Sequence, residues 1–287
     1  MFFDEKSASA LPAQFSDLAD TLDALACDSV AAITVSPDRQ DPTFGPFGEI
    51  AGFVRSAGCL EGKVLETGLR LILAHSGEFV LPPAGFSLPV IEAARAAVGR
   101  NEKEALKSIR FDPKVYATEH YTPDIVAVRR TSGIAYLLEL KRTTLTYPRP
   151  ILQKLEDKML AAALVTRDAL LFERQSTNIA GVELAIIDCS GKDPRDCVIT
   201  HMGLDQLLDY EGVGESLSFL RTRFAHHLQG ALAELVDHER ATGDGCATPI
   251  SDAVPIPTSR GPVTTSSLDL PISISFARRA DLARARA

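Results

Sequence analysis

Three charged residues interrupt two apolar stretches of this chain: Asp124 opens the first, and Glu139 and Lys141 close the second, in PDIVAVRRTSGIAYLLELKR, Pro123 to Arg142. Two carboxylates beside an ammonium suit metal chemistry built on hard oxygen ligands. Asp124 and Glu139 are ligand types for Mg²⁺ or Mn²⁺, ions that keep several of their waters. Lys141 can then orient a metal-bound water and lower its pKa, while the ion neutralises charge developing on a scissile phosphate. The carbonyl of Leu140, between the two functional side chains, offers a further metal ligand.

The elements that must position these groups are two predicted strands, Asp124 to Arg129 and Ile134 to Lys141. Side chains alternate along a strand, so Ala135, Leu137, Glu139 and Lys141 share one face, and Ile134, Tyr136, Leu138 and Leu140 share the other. A two-residue turn at Ser132-Gly133 would set Asp124 opposite Lys141 and diagonal to Glu139, all on one side. A one-residue change of register would send Asp124 to the other face, and a longer loop is open as well, because Ser-Gly is a weaker turn signal than Asn-Gly. The rest of the face, Val126, Val128, Ala135 and Leu137, is apolar. An ordinary solvated hairpin would alternate polar residues along it.

Pro123-Asp124 followed by Glu139-Leu140-Lys141 on the next strand resembles the signature of the PD-(D/E)XK nuclease superfamily. That resemblance implies an α/β fold with a restriction-endonuclease-like core: a central mixed β-sheet flanked by helices, in the order helix, motif hairpin, helix, strand, here with extra N-terminal and C-terminal helices. The superfamily commonly carries a glutamate on its first core helix. Gly62-Lys63-Val64-Leu65-Glu66-Thr67-Gly68-Leu69 is similar to the Gly-Lys-x-x-Glu-x-x-Leu run of several branches, which makes Glu66 the matching catalytic and metal-binding acid, with Glu61 the competing choice. Gln153 matches an auxiliary polar residue on the following helix, and Tyr121 is placed to line the cleft. The implied activity is Mg²⁺-dependent phosphodiester hydrolysis, as a DNA endonuclease, with DNA preferred over RNA on the resemblance alone. Replacing Asp124 or Lys141 by alanine should then abolish cleavage and leave thermal melting largely intact. The alternative is a non-catalytic nucleic-acid-binding or protein-binding subunit that keeps the fold.

Along the chain, residues 1–58 read as a helical arm, centred on Ala13 to Ala26, followed by a Pro/Gly-rich connection. The nuclease-like core spans 59–200, with an amphipathic helix over Leu60 to His75, a short strand at Phe79 to Leu81, a helix over Pro89 to Val98 and a strand over Arg110 to Ala117. A helix from about Pro150 to Val165 and a strand over Gly181 to Asp188 follow the hairpin. Residues 201–240 read as C-terminal helices packed on the core. Residues 241–287, rich in Pro, Ser, Thr and Gly, read as a disordered tail with a basic end, Arg278-Arg279 and Arg284-Ala-Arg286.

Composition narrows the partners. The net charge of −8 is opposite to that of a protein held on nucleic acid by bulk charge, so contact with DNA must be local. Arg129, Arg130, Lys141, Arg142, Arg149 and Lys154 supply the local cations. No helix-turn-helix, zinc finger or aromatic stacking platform is evident, so targeting falls to a partner protein, a second copy of the chain or DNA shape, as in a defence, transposition or plasmid-transfer system. Five cysteines without a Cys-x-x-Cys pair give neither a disulfide framework nor a ribbon-type zinc site. With no membrane-length apolar run and no signal-like start, the expected setting is cytoplasmic, away from membranes.

Overall fold

The computed structural model describes residues 10–34, 42–100, 117, 119–173, 179–192 and 198–243. In chain order these form a 3₁₀ turn (Ala13–Leu18), α1 (Ala19–Ala31), a 3₁₀ segment (Pro42–Phe47), α2 (Gly48–His75), β1 (Phe79–Val80), β2 (Leu88–Val90), α3 (Glu92–Arg100), β3 (Glu119–Tyr121), β4 (Ile125–Arg129), β5 (Ile134–Lys141), α4 (Arg149–Phe172), β6 (Gly181–Asp188), β7 (Val198–Thr200), α5 (Leu204–Leu208) and α6 (Val213–Gly243). The fold is α/β: a mixed five-stranded sheet, β1-β4-β5-β6-β7, lies between helical layers, and β2 pairs with β3 in a separate ribbon.

The sheet's two apolar faces follow from strand alternation. Ile125, Ala127, Tyr136 and Leu138 point to one side, where they meet Leu22 and Ala26 of α1, Leu65, Leu69 and Ile72 of α2, and Leu217 and Leu220 of α6. Val126, Val128, Ala135 and Leu137 point to the other side, against Leu152, Met159 and Val165 of α4 and against Tyr121, Leu88 and Val90 of the ribbon. A hairpin buried on both faces reads as a near-continuous apolar run, which is the character of both strands. β1–β4 and β4–β5 are antiparallel, whereas β5–β6 and β6–β7 are parallel, with α4 as the crossover that a parallel step requires.

The first helices are core elements rather than an appended arm. Phe15 and Leu22 are fully buried among α2 and α6 side chains, and α2 begins at Gly48, so a boundary at residue 58 falls inside a continuous helix. Leu88–Val90 is a strand, not the start of a helix over Pro89 to Val98; Pro89 is tolerated because β2 sits in a two-stranded ribbon where an edge needs no N–H. β7 is an element that periodicity did not signal, being three residues long. The expected strand at Arg110 to Ala117 falls, Ala117 apart, outside the described residues, as do Cys197, Cys246 and the tail from residue 244 onward. No helix among the described residues is long and apolar enough to cross a membrane.

Candidate active site

The β4–β5 hairpin closes through residues 130–133 rather than through Ser132-Gly133 alone. Ile125 faces Leu138 and Val128 faces Ala135. A two-residue type I′ turn needs positive φ at both central positions. Here only Gly133 takes it, at φ 68°, and its N–H donates to the Arg129 carbonyl at 2.9 Å. The register therefore differs by two residues from the one a tight turn would set, and continuing it brings Asp124 opposite Glu139 instead of Lys141. Because the side-chain period is two, the shift leaves Asp124, Glu139 and Lys141 on their common face.

Pro123 explains why the ladder stops there. It would lie opposite Leu140, and it has no N–H to donate to the Leu140 carbonyl. The Leu140 N–H instead donates to Asp124 Oδ2 at 2.7 Å. The Lys141 carbonyl accepts from Cys189 N–H on the β6 side, so the Leu140 carbonyl, alternating with it, faces Asp124. The Pro-Asp pair thus ends one strand, exposes a carbonyl and aims a carboxylate at the same spot.

Glu139 is buried and held from two sides: Tyr121 Oη donates to its Oε2 at 2.6 Å, and Lys141 Nζ donates to its Oε1 at 2.6 Å. Each carboxylate oxygen retains a second lone pair. Burial, then the negative charge of Glu139 and, to a smaller degree, of Glu66, pushes the Asp124 pKa up to about 6 from its ordinary 3.8, against the opposing pull of Leu140 N–H and Lys141. Burial alone would lower Lys141, but the bonded Glu139 carboxylate outweighs it, so the ammonium form is favoured beyond its ordinary range. Burial and the adjoining Glu139 charge also keep the Tyr121 phenol protonated.

Of the two α2 acids, Glu66 is the one whose charge acts on Asp124. Glu61 is committed elsewhere, 2.9 Å from Arg221 Nε and 3.8 Å from Arg142 Nε. Gln153 is exposed, and its amide donates to Asp157 and Glu156 of its own helix. Glu156, buried in the Leu152-Glu156-Met159 stripe, is an acid that the apolar spacing of α4 could have flagged.

Arg129 and Arg130 lie at the turn end of the hairpin, roughly 17 Å from Asp124 at about 3.3 Å per residue. They serve packing there: Arg129 donates to the Leu208 carbonyl and Asp209, and Arg130 to the Gly77 carbonyl. Arg142, Arg149 and Lys154 remain at the end of the sheet that holds the acids, all exposed. The cation surface expected from one short span is therefore divided between two ends of the hairpin.

Two residues at the acid end carried no sequence signal. Asp188, paired with Lys141 in the β5–β6 register, is fully buried and accepts from the N–H and Oγ1 of Thr144 and the N–H and Oγ of Ser190. Tyr147, in the connection from β5 to α4, acts electrostatically on Lys141. Farther along the chain, burial pushes the Cys189 thiol up to about 12, and His201 Nε2 pairs with Ser218 Oγ at 2.7 Å.

Among the described residues no three His, Cys, Asp or Glu side chains form a ready metal cage. The candidate donors are Asp124, Glu139, the Leu140 carbonyl and Glu66, whose charge acts on Asp124. One or two carboxylates with retained waters is the usual provision for Mg²⁺, so the donor set suits that ion and not a closed thiolate or imidazole site. Comparison with protein-family models, with characterised proteins and with solved structures finds no match for this chain.

Proposed function

We propose that the chain is a Mg²⁺-dependent nuclease of the restriction-endonuclease-like type, hydrolysing phosphodiester bonds in DNA, with Asp124, Glu139, Lys141 and Glu66 at its centre. The observation that carries the reading is Asp124: a carboxylate at a packed strand end, on one face with Glu139 and Lys141, whose ionisation is resisted by burial and by the Glu139 and Glu66 charges more than Leu140 N–H and Lys141 offset. A divalent ion supplies the missing positive charge and, when bound, polarises the scissile phosphate.

The chain's own residues divide the remaining work. Asp124, Glu139 and the Leu140 carbonyl would hold the ion, and Glu66 would add negative charge to the same spot. Lys141, kept as an ammonium, is a donor and not a base; it positions the attacking water and stabilises charge on the phosphate. The water oxygen bonds to phosphorus as the bond to the leaving sugar oxygen breaks; the water gives up a proton and the leaving oxygen takes one. Tyr121 holds Glu139 in place from the side away from Lys141.

One observation favours the second reading, a binding subunit without turnover: Glu139 already has a partner on each oxygen, as a metal-free ion-pair cluster would. Calorimetric titration with Mn²⁺ separates the two. At pH 6, in buffers of different protonation heat, binding should release roughly half a proton, because Asp124 must ionise to ligate. Asp124→Asn should weaken binding at least tenfold and abolish that release. A chain that takes up no Mn²⁺ while fully folded would contradict the metal-site reading.

A further inference from the structure

The connection from β5 to α4, residues 142–148, here called the strap, leaves the sheet directly after Lys141 and is anchored rather than loose. The buried Asp188 carboxylate receives both the Thr144 N–H, at 2.8 Å, and its hydroxyl, at 2.5 Å. Tyr147 N–H then donates to the Thr144 carbonyl at 2.9 Å and closes a turn. Lys141 and Asp188 are register partners on β5 and β6, so this anchor adjoins the proposed catalytic lysine.

The anchored turn turns apolar side chains outward. Leu145 is 54% exposed and Ile151, on the first turn of α4, is 51% exposed, with Tyr147 between them at 36%. Fixed backbone with outward apolar groups signals a surface meant for contact. Cations alternate with them: Arg142 precedes Leu145, Arg149 lies between Tyr147 and Ile151, and Lys154 follows, all three exposed. Arg142 is only loosely engaged, its Nε 3.8 Å from Glu61. In a chain of net charge −8, this alternation is a local exception that suits a polyanion with flat apolar groups.

We propose that residues 142–154 form a platform for an unpaired nucleotide strand, bases resting on Leu145, Tyr147 and Ile151 and phosphates meeting Arg142, Arg149 and Lys154, so that the strand is led to Lys141. The inference rests on the nuclease reading and gives it a substrate class. A duplex keeps its base faces stacked inside and can use the cations alone, whereas a single strand uses both sets. The sequence pattern showed no aromatic platform because the one aromatic residue of this surface, Tyr147, lies in a connection, outside any helical or strand period.

The test is fluorescence anisotropy with the full-length chain in EDTA, so that nothing is cleaved, using labelled oligothymidylate, oligouridylate and an adenine–thymine duplex. Both single strands should bind more tightly than the duplex. Leu145→Ser and Tyr147→Ala should each weaken single-strand binding roughly tenfold, the scale of one lost stacking contact, and leave the duplex unmoved, while Tyr147→Phe keeps the wild-type value. Equal or tighter duplex binding, or strap variants that bind single strands as the parent does, overturns the platform. If the parent cleaves with Mg²⁺ yet shows no single-strand preference, the platform falls and the nuclease reading stands. Strap-dependent single-strand binding without cleavage under any metal has the opposite meaning.

Discussion

At neutral pH Asp124 carries a charge that its surroundings resist, and this has a thermodynamic signature apart from any activity. Its folded-state pKa is raised to about 6 from 3.8, so the native chain holds the proton more tightly, and stability falls as pH rises through that window. At about 1.4 kcal/mol per unit the ceiling is about 3 kcal/mol, and solvent screening of a partly exposed group reduces it to the order of 1–2 kcal/mol. Metal-free Asp124→Asn should therefore melt at or above the parent at pH 7.5, with the advantage gone near pH 4, as read by circular dichroism. A variant less stable than the parent at pH 7.5 alone would show that Asp124 is a structural acid. Lys141→Ala differs: it strands the buried Glu139 with Tyr121 as its one remaining partner, so melting should drop, contrary to the sequence-based expectation of intact stability. The common face of Asp124, Glu139 and Lys141 was legible because parity survives a two-residue shift. The roles of Arg129 and Arg130 were not, since partners such as Asp209 and the Gly77 carbonyl are chosen by tertiary placement.

At the scale of elements, the hairpin, the crossover helix and β6 were legible from period and length, while the turn was not. Its length depended on the φ of single residues, and Ser132 does not adopt the positive φ that a tight turn demands. The start of α2 and the existence of β7 were likewise set by packing rather than by pattern, whereas the end of α2 at His75 matches the sequence reading. Asp188 is the element-scale device that the sequence concealed, an acid at the last position of an apolar strand. Its pKa is lowered: burial opposes ionisation, and bonds from Ser190 and Thr144 overcome it. The stability it contributes is present above its ordinary value of 3.8 and is lost as pH falls through its lower folded value. Asp188→Ala, which orphans buried donors of Thr144 and Ser190, should cost about 2–4 kcal/mol in denaturant unfolding at pH 7. The loss should shrink toward pH 3; a variant as stable as the parent would mean that the 142–148 connection is not anchored there.

The whole molecule places two apolar layers on one sheet and gathers its unsatisfied chemistry at one end of it. The α1 and α2 layer brings Glu66 from one side, and the α4 layer brings the strap from the other. Charge is organised at the same scale: an acidic chain in which three exposed cations, Arg142, Arg149 and Lys154, stand beside the acids. The α/β class and the hairpin at its centre could be read from the sequence, whereas the division of the basic residues between two ends of the hairpin required the register. The claim on which the rest depends is metal-dependent phosphodiester cleavage at this end of the sheet. Its most direct measurement is digestion of labelled single-stranded and duplex DNA by the purified chain, by Asp124→Asn and by Lys141→Ala, each with Mg²⁺, Mn²⁺ or EDTA. The account predicts cleavage by the parent with either metal, none in EDTA and at least a hundredfold loss in both variants, on the order of removing one preorganised electrostatic group. A parent inert under every condition, or cleavage that survives in Asp124→Asn, would contradict it.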